Sequence, residues 1–397
     1  YAERHARLKG KTMGNPFNAM DNAPPALYSG ARQHEKFNRM DDFFPSVPLL
    51  AASQARPFPK GAALALPEAY VFEGAEKDLQ TFLSETDTVA LLVLQDGKLR
   101  HEHYALTGGP AVRWISWSMA KSFVSALVGV AVAEGVIGSI DDSISDYATS
   151  LKGSAYEGVP IKHVLQMSSG ARWHEDYSDP ESDVNQLGAV MAGKQTLDAF
   201  VANIPSDEPS GTHCRYNSAD TQALGMLLRG ATGGSLSAYM QAKLIEPLGF
   251  EDSGYWVSDH AGVEMVLGGL NLTARDYAKL GELYRHGGRV GDRQVLPEAW
   301  VAASTQVSAP HLAAGQVTVG GHKFAFGYGY QWWIPGGKQG DFSAIGVYNQ
   351  FTYVNPKARA TIVKLSANPR YGLSELESDN RDEENMAVLR AIAGSMS

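Results

Sequence analysis

The 397 residues are 44% hydrophobic and 19% charged, enough for two or three domain-sized units or one large two-part fold. The formal net charge is −9, from 43 acidic against 34 basic residues with no block of like charge, which argues against nucleic acid or an anionic membrane surface as the main partner. Cys214 is the single cysteine, so the chain forms no intrachain disulfide and no cysteine-based metal site.

Residues 1–60 are polar and repeatedly broken, at Gly14-Asn15-Pro16, Asn22-Ala23-Pro24-Pro25, Pro45, Pro48, Pro57 and Pro59. They read as an extended arm lying on the folded body. Thr88–Leu94 is apolar and β-branched, Asp96-Gly97 is a turn signal, and Leu99–Tyr104 alternates, which predicts a β-hairpin. The stretch Phe123–Ile137 is the most apolar, but Ser125 and Glu134 interrupt it and it is too short to span a membrane. Val124, Leu127, Val128 and Ala131 form a helical stripe that Gly135 ends. Leu187–Val201, Asp220–Gly230, Leu236–Ile245 and Thr273–Tyr284 read as further helices, the last with a capping-box-like Thr273 and Asp276. Strand patterns return at Lys323–Trp333 and Ser343–Ser366 around the turn Pro335–Gly340, and Met386–Met396 closes as a helix. Strands at both ends flank a helical middle. The expected fold is α/β of the α+β type: an antiparallel sheet from residues 61–117 and 286–397 with helices on it, and a mostly helical subdomain from 118–285. A processed segment ahead of Tyr1 is compatible with the sequence, and the compartment, cytoplasmic or periplasmic, stays open.

Ser118-Met119-Ala120-Lys121 stands directly ahead of the most apolar helix. There Ser118 falls at the helix N-terminus and Lys121 one turn later on the same face. A serine hydroxyl is a weak nucleophile until a base takes its proton, and a lysine whose pKa is lowered by burial can be that base. Unpaired N–H groups at the helix start suit a developing oxyanion. Tyr216-Asn217-Ser218 precedes another predicted helix. Tyr216 is a candidate relay, a hydroxyl able to share a proton with a serine–lysine pair, and Ser218 a candidate partner for the lysine.

Ser118-x-x-Lys121 followed by Tyr216-x-Ser218 resembles the serine β-lactamase and penicillin-binding-protein superfamily, in its class C-like esterase and amidase branch. Further blocks extend the likeness, above all to 6-aminohexanoate-dimer (nylon-oligomer) hydrolases: Glu175–Pro180, Gly268-Gly269 to Asp276, Gln331-Trp332-Trp333 and Thr361–Ser366. The resemblance implies a β-lactamase-like fold, no cofactor and no metal. It makes Ser118 the acylated nucleophile, Lys121 its base, Tyr216 the proton relay, and the backbone N–H groups of Ser118 and Val347 the oxyanion hole. Tyr177 matches a tyrosine that contacts the scissile amide, and Trp333 a tryptophan lining the substrate pocket.

The strand expected beside the nucleophile departs from the family's Lys-Thr-Gly motif or its His-containing version. Gly346-Val347-Tyr348-Asn349-Gln350 puts Tyr348 in the place of the histidine and Asn349 in that of a glycine, both facing substrate. Lys338-Gln339-Gly340 lies in the turn before the strand and does not replace it. Without that cation a substrate carboxylate loses its charged partner. Trp117, Trp173, Tyr177, Trp333 and Tyr348 suit an uncharged apolar or aromatic ester or amide. The expected activity is a carboxylesterase for small or aromatic esters, with an amidase for linear 6-aminohexanoate oligomers as the alternative and a non-catalytic binding protein of the same fold as the rival. The expected partner is a small-molecule substrate, with a homodimer possible.

Two other motifs fail. Gly188–Gln195 nearly matches a phosphate-binding loop but carries Gln195 where a hydroxyl would hold Mg²⁺. His101 and His103 share a strand face without a third ligand in view.

Overall fold

The computed structural model describes residues 32–396. The breaks at Gly14–Pro16 and Asn22–Pro25 lie outside the described residues. The site is positioned by β1 (Ser46–Leu49), the hairpin β2 (Thr88–Gln95) and β3 (Lys98–Tyr104), and β4 (Trp114–Ile115). Next come α1 (Ala120–Ala133), α2 (Asp183–Met191), α3 (Ser218–Thr232), β5 (Gly254–Val257), β6 (Leu270–Leu272) and α4 (Ala274–Arg285). The chain closes with β7 (Gly327–Tyr328), β8 (Trp333–Ile334), β9 (Phe342–Gly346), β10 (Gln350–Asn355), β11 (Ala360–Ser366) and α5 (Asp382–Gly394).

A seven-stranded antiparallel sheet runs in the order β7-β8-β9-β10-β11-β2-β3, so the early hairpin joins the edge of the late strands. Asp96 (φ +52°) and Gly97 (φ +71°) make the left-handed turn that an Asp-Gly hairpin requires. Every residue of β2 is buried, because both faces of the sheet are covered. Ala90, Leu92 and Leu94 share a core with Tyr277, Leu280 and Leu283 of α4. The alternate residues Leu91 and Val93 share another with Met386, Leu389 and Ile392 of α5. Gly281 lets α4 sit directly on the sheet, since a Cβ there would lie 2.5 Å from the Thr361 methyl.

A second antiparallel sheet, β1-β5-β6-β4, leads into the nucleophile turn. Its β1 comes from the segment expected to be an arm: residues 46–49 pair with 254–257. Apolar side chains of that segment, Phe37, Met40 and Phe44, are buried in the main core. The helix α1 is buried from Ala120 to Ala131. That all-round burial explains the wealth of small and apolar residues in α1 and its lack of a polar face.

Two elements differ from the sequence expectation. Leu187–Val201 is two helices, Asp183–Met191 and Leu197–Ala202, because Gly193 at φ +79° breaks the chain between them. Lys323–Trp333 holds only two-residue strands; the one at Gly327–Tyr328 ends at Gly329, where a Cβ would lie 2.0 Å from the Ser304 carbonyl oxygen. Among the described residues no helix is long and apolar enough to cross a membrane.

Candidate active site

Ser118 sits in a 3₁₀ turn, Trp117–Met119, that runs into α1. Trp117 adopts φ +44°, a left-handed conformation that a bulky residue holds only when its surroundings fix it. Its indole is wedged against Phe37 (5.4 Å) and Tyr348 (5.7 Å between ring centroids). One turn on, Lys121 is 1% exposed, and its Nζ lies 2.9 Å from Ser118 Oγ, 3.1 Å from Ser218 Oγ and 2.7 Å from the Leu267 carbonyl oxygen. Burial lowers its pKa to about 8, and the charge of Glu175 opposes the shift.

Tyr216 closes the other side. Its ring faces Lys121 Nζ at 5.2 Å and stacks on Trp333 at 5.1 Å. Burial first, and then Glu175, hold the phenol well above its usual pKa, opposed by a hydrogen bond with Ser118. Tyr216 is therefore a neutral phenol with a proton to give. Asn217 fixes the next residue: it caps α3 by accepting from the N–H groups of Ala219 (2.8 Å) and Asp220 (3.3 Å). With Asn217 as the cap, the Ser218 hydroxyl stays available to Lys121.

Val347, Tyr348 and Asn349 form the turn between β9 and β10, so the strand expected beside the nucleophile ends at Gly346. Gly346 has a packing reason: a Cβ would lie 2.3 Å from the Ser116 carbonyl oxygen and 3.1 Å from Ser118 N. That close approach brings the Val347 backbone beside Ser118. Tyr348 (φ +62°) and Asn349 (φ +69°) are both left-handed. Gln350 holds them, its Nε2 donating to the carbonyl oxygens of Val347 (3.1 Å), Tyr348 (3.0 Å) and Ser366 (2.6 Å), while its Oε1 accepts from Trp114 Nε1 (2.9 Å).

A cavity of about 420 Å³ opens over Ser118. Its walls include Trp117, Ser118, Tyr177, Ser218, Val347 and Tyr348, with Met40 and Phe44 from the N-terminal segment and Leu187 and Met191 from α2, and none of its lining residues is charged. Three residues expected on the substrate side, Trp333, Asn349 and Trp173, do not line it. Trp333 is 6% exposed and backs Tyr216 from behind. Asn349 is fully buried and turns its amide to the Asn380 carbonyl oxygen (2.7 Å) and Asp382 (3.2 Å), because the left-handed turn points it away from the cavity. Trp173 is 4% exposed, its Nε1 donating to Glu175.

Residues that the sequence reading left out support those it found. Glu175, read from the sequence only as the start of the block Glu175–Pro180, accepts the Tyr177 hydroxyl (2.7 Å), and also the N–H (3.0 Å) and hydroxyl (2.5 Å) of Ser218. Tyr371 packs between Tyr348 and Tyr177 and donates to Asp382 at 2.9 Å. No local signal marks Gln350 or Tyr371, whose partners are distant in sequence.

A family model described as Beta-lactamase matches residues 76–384. The chain belongs to the β-lactamase family. This family member is 31% identical over 309 residues, 74% of its length, to the 6-aminohexanoate-dimer hydrolase of Paenarthrobacter ureafaciens, of which the match spans 76%. A Bacillus anthracis structure provisionally named as a 6-aminohexanoate-dimer hydrolase superposes with a TM-score of 0.81 at 24% identity, covering 92% of this chain and 95% of the other. A family VIII carboxylesterase superposes at 0.60 and 14% identity, covering 80% and 95%. Together they establish a β-lactamase-like fold and a hydrolase of the serine-reactive superfamily.

If Lys121 must be neutral to act, kcat/KM falls on the acid side through its pKa. The expected acid limb for p-nitrophenyl butyrate lies near pH 8. A profile flat from pH 6 to 9 would contradict Lys121 as the base.

Proposed function

We propose that the protein is a carboxylesterase for uncharged small or aromatic esters, working through an acyl-enzyme on Ser118. The observation that carries this is Ser118 Oγ at 2.9 Å from the buried Lys121 Nζ, under a cavity without charged walls. Lys121 accepts the Ser118 proton as the oxygen attacks the carbonyl carbon. The oxyanion is held by the backbone N–H groups of Ser118 and Val347. Tyr216 gives its proton to the leaving alcohol and recovers one from the Lys121 ammonium; water then attacks the acyl carbonyl, losing a proton to neutral Lys121, and that proton passes to Ser118 Oγ as the acid leaves. An intact set of Ser118 at the cavity with Lys121 and Tyr216 packed beside it argues against the non-catalytic rival. Tyr348 offers no charge to a substrate carboxylate, so nitrocefin turnover is expected to be weak.

The second reading, an amidase for linear ω-amino-acid oligomers, is favoured by the named relative and by a neighbouring cavity of about 100 Å³. That cavity shares Tyr177, Ser178 and Gly372 with the first; its wall carries Asp176, Glu375 and Glu383, beside the cation of Lys323 and a Glu377 whose pKa burial raises to about 8, so acidic acceptors for an ammonium end outnumber the one lysine. Kinetics on p-nitrophenyl butyrate and the linear 6-aminohexanoate dimer separate the readings. The ester is expected to have the higher kcat/KM; turnover of the dimer alone would replace the first reading by the second. Tyr177→Phe is expected to lower amide turnover about tenfold or more while sparing the ester, because an amine leaves less readily than an alcohol and needs more help. Equal effects on both substrates would remove Tyr177 from the leaving-group side.

A further inference from the structure

The mechanism above makes no use of Glu175, a carboxylate 2% exposed, in the loop between Trp173 and α2. We propose that Glu175, acting through the Ser218 hydroxyl, aims the lone pair of neutral Lys121 at the proton of Ser118. This rests on the reading of Ser118 and Lys121 as nucleophile and base.

The argument is a count of hydrogens. A carboxylate only accepts. Glu175 Oε1 takes the hydroxyls of Ser218 (2.5 Å) and Tyr177 (2.7 Å), and Oε2 takes the Ser218 N–H (3.0 Å) and the Trp173 indole N–H. Ser218 has one hydroxyl hydrogen, and Glu175 holds it, so toward Lys121 Nζ, 3.1 Å away, Ser218 can only accept. The Leu267 carbonyl oxygen, 2.7 Å from Nζ, also can only accept. A neutral amine has two hydrogens and one lone pair. The two obligate acceptors take the hydrogens, and the lone pair is left for the third neighbour, Ser118 Oγ at 2.9 Å.

The step then balances. The Ser118 O–H bond breaks, its proton joins the Lys121 lone pair, and the freed oxygen pair forms the bond to the carbonyl carbon. The resulting ammonium has three hydrogens for the same three oxygens. The groups facing Lys121 are the Ser118 and Ser218 hydroxyls, the Tyr216 ring at 5.2 Å and, behind Ser218, the Glu175 charge, which favours that ammonium. Glu175 touches neither substrate nor Ser118 in this scheme; it is a positioning residue.

Glu175→Gln tests it, because the amide keeps the shape and brings two hydrogens. With its nitrogen toward Ser218 N and Trp173, it opposes two N–H donors. Turned the other way, it donates to the Ser218 hydroxyl, which is then released to donate to the Lys121 lone pair and block it. The expected result with p-nitrophenyl butyrate is a kcat about 10- to 100-fold lower per active site, with KM changed less than about twofold. The acid limb of kcat/KM should move to lower pH, since Lys121 loses a neighbouring negative charge. Glu175→Asp, which restores the charge, should return the limb toward its original position. Glu175→Gln combined with Ser218→Ala should be no slower than the slower single variant, because the effect passes through Ser218. Active sites are counted by fluorophosphonate labelling, so a loss confined to the folded fraction is seen as such. The proposal is overturned by a Glu175→Gln enzyme with unchanged kcat per labelled site and an unmoved limb, or by losses that multiply in the double variant. The nucleophile assignment is judged separately, by whether Ser118→Ala is inactive.

Discussion

Ser118→Ala is expected to lower kcat for p-nitrophenyl butyrate by about four to six orders of magnitude, the size seen when a nucleophile is deleted from a cooperating set. Ser118 is 9% exposed at the foot of the cavity, so removing its hydroxyl empties little space and should leave the melting temperature within a few degrees. The geometry predicts no replacement nucleophile. Ser218, the other hydroxyl on Lys121, has given its hydrogen to Glu175. Residual turnover within tenfold of the parent would show that the reaction does not pass through Ser118.

Lys121→Ala carries the next largest effect, a loss of about 10²- to 10⁴-fold in acylation, the usual range for a general base. The lysine is buried with three oxygen partners, so its loss also leaves the Leu267 carbonyl oxygen and Ser218 without a donor. Stability must therefore be measured beside rate. The decisive readout is the rate of fluorophosphonate labelling of Ser118 in protein shown to be folded by near-ultraviolet circular dichroism. Labelling should slow with turnover. A folded Lys121→Ala enzyme that labels and turns over like the parent would remove the lysine from the mechanism.

Local patterns in the sequence carried most of the fold and the chemical core of the site. The Asp96-Gly97 hairpin, the apolar run of α1 and the Thr273 cap each act over a few residues, and each is present. Ser118 with Lys121 is one helical turn, and Tyr216 with Ser218 flanks one helix start, so spacing alone pointed to both pairs. Their meeting depends on tertiary packing, and only the resemblance joined them in advance. Three features were illegible for physical reasons. The N-terminal segment contributes a strand and two cavity-wall residues, because Phe37, Met40 and Phe44 find an apolar surface that its Gly- and Pro-rich sequence does not advertise. The turn at Val347–Asn349 looks like strand, since left-handed Tyr348 and Asn349 are held by Gln350 and Asp382 from outside the turn. Trp333 matches a pocket residue by motif, yet its place behind Tyr216 is set by stacking.

The central claim is that a Lys121-activated Ser118 forms an acyl-enzyme. Rapid-quench intact-protein mass spectrometry during turnover of p-nitrophenyl butyrate tests it most directly. The account predicts a transient butyryl adduct that peptide mapping places on Ser118 and that is absent from Ser118→Ala. Steady turnover with no adduct on the millisecond scale, or an adduct on any other residue, would contradict it.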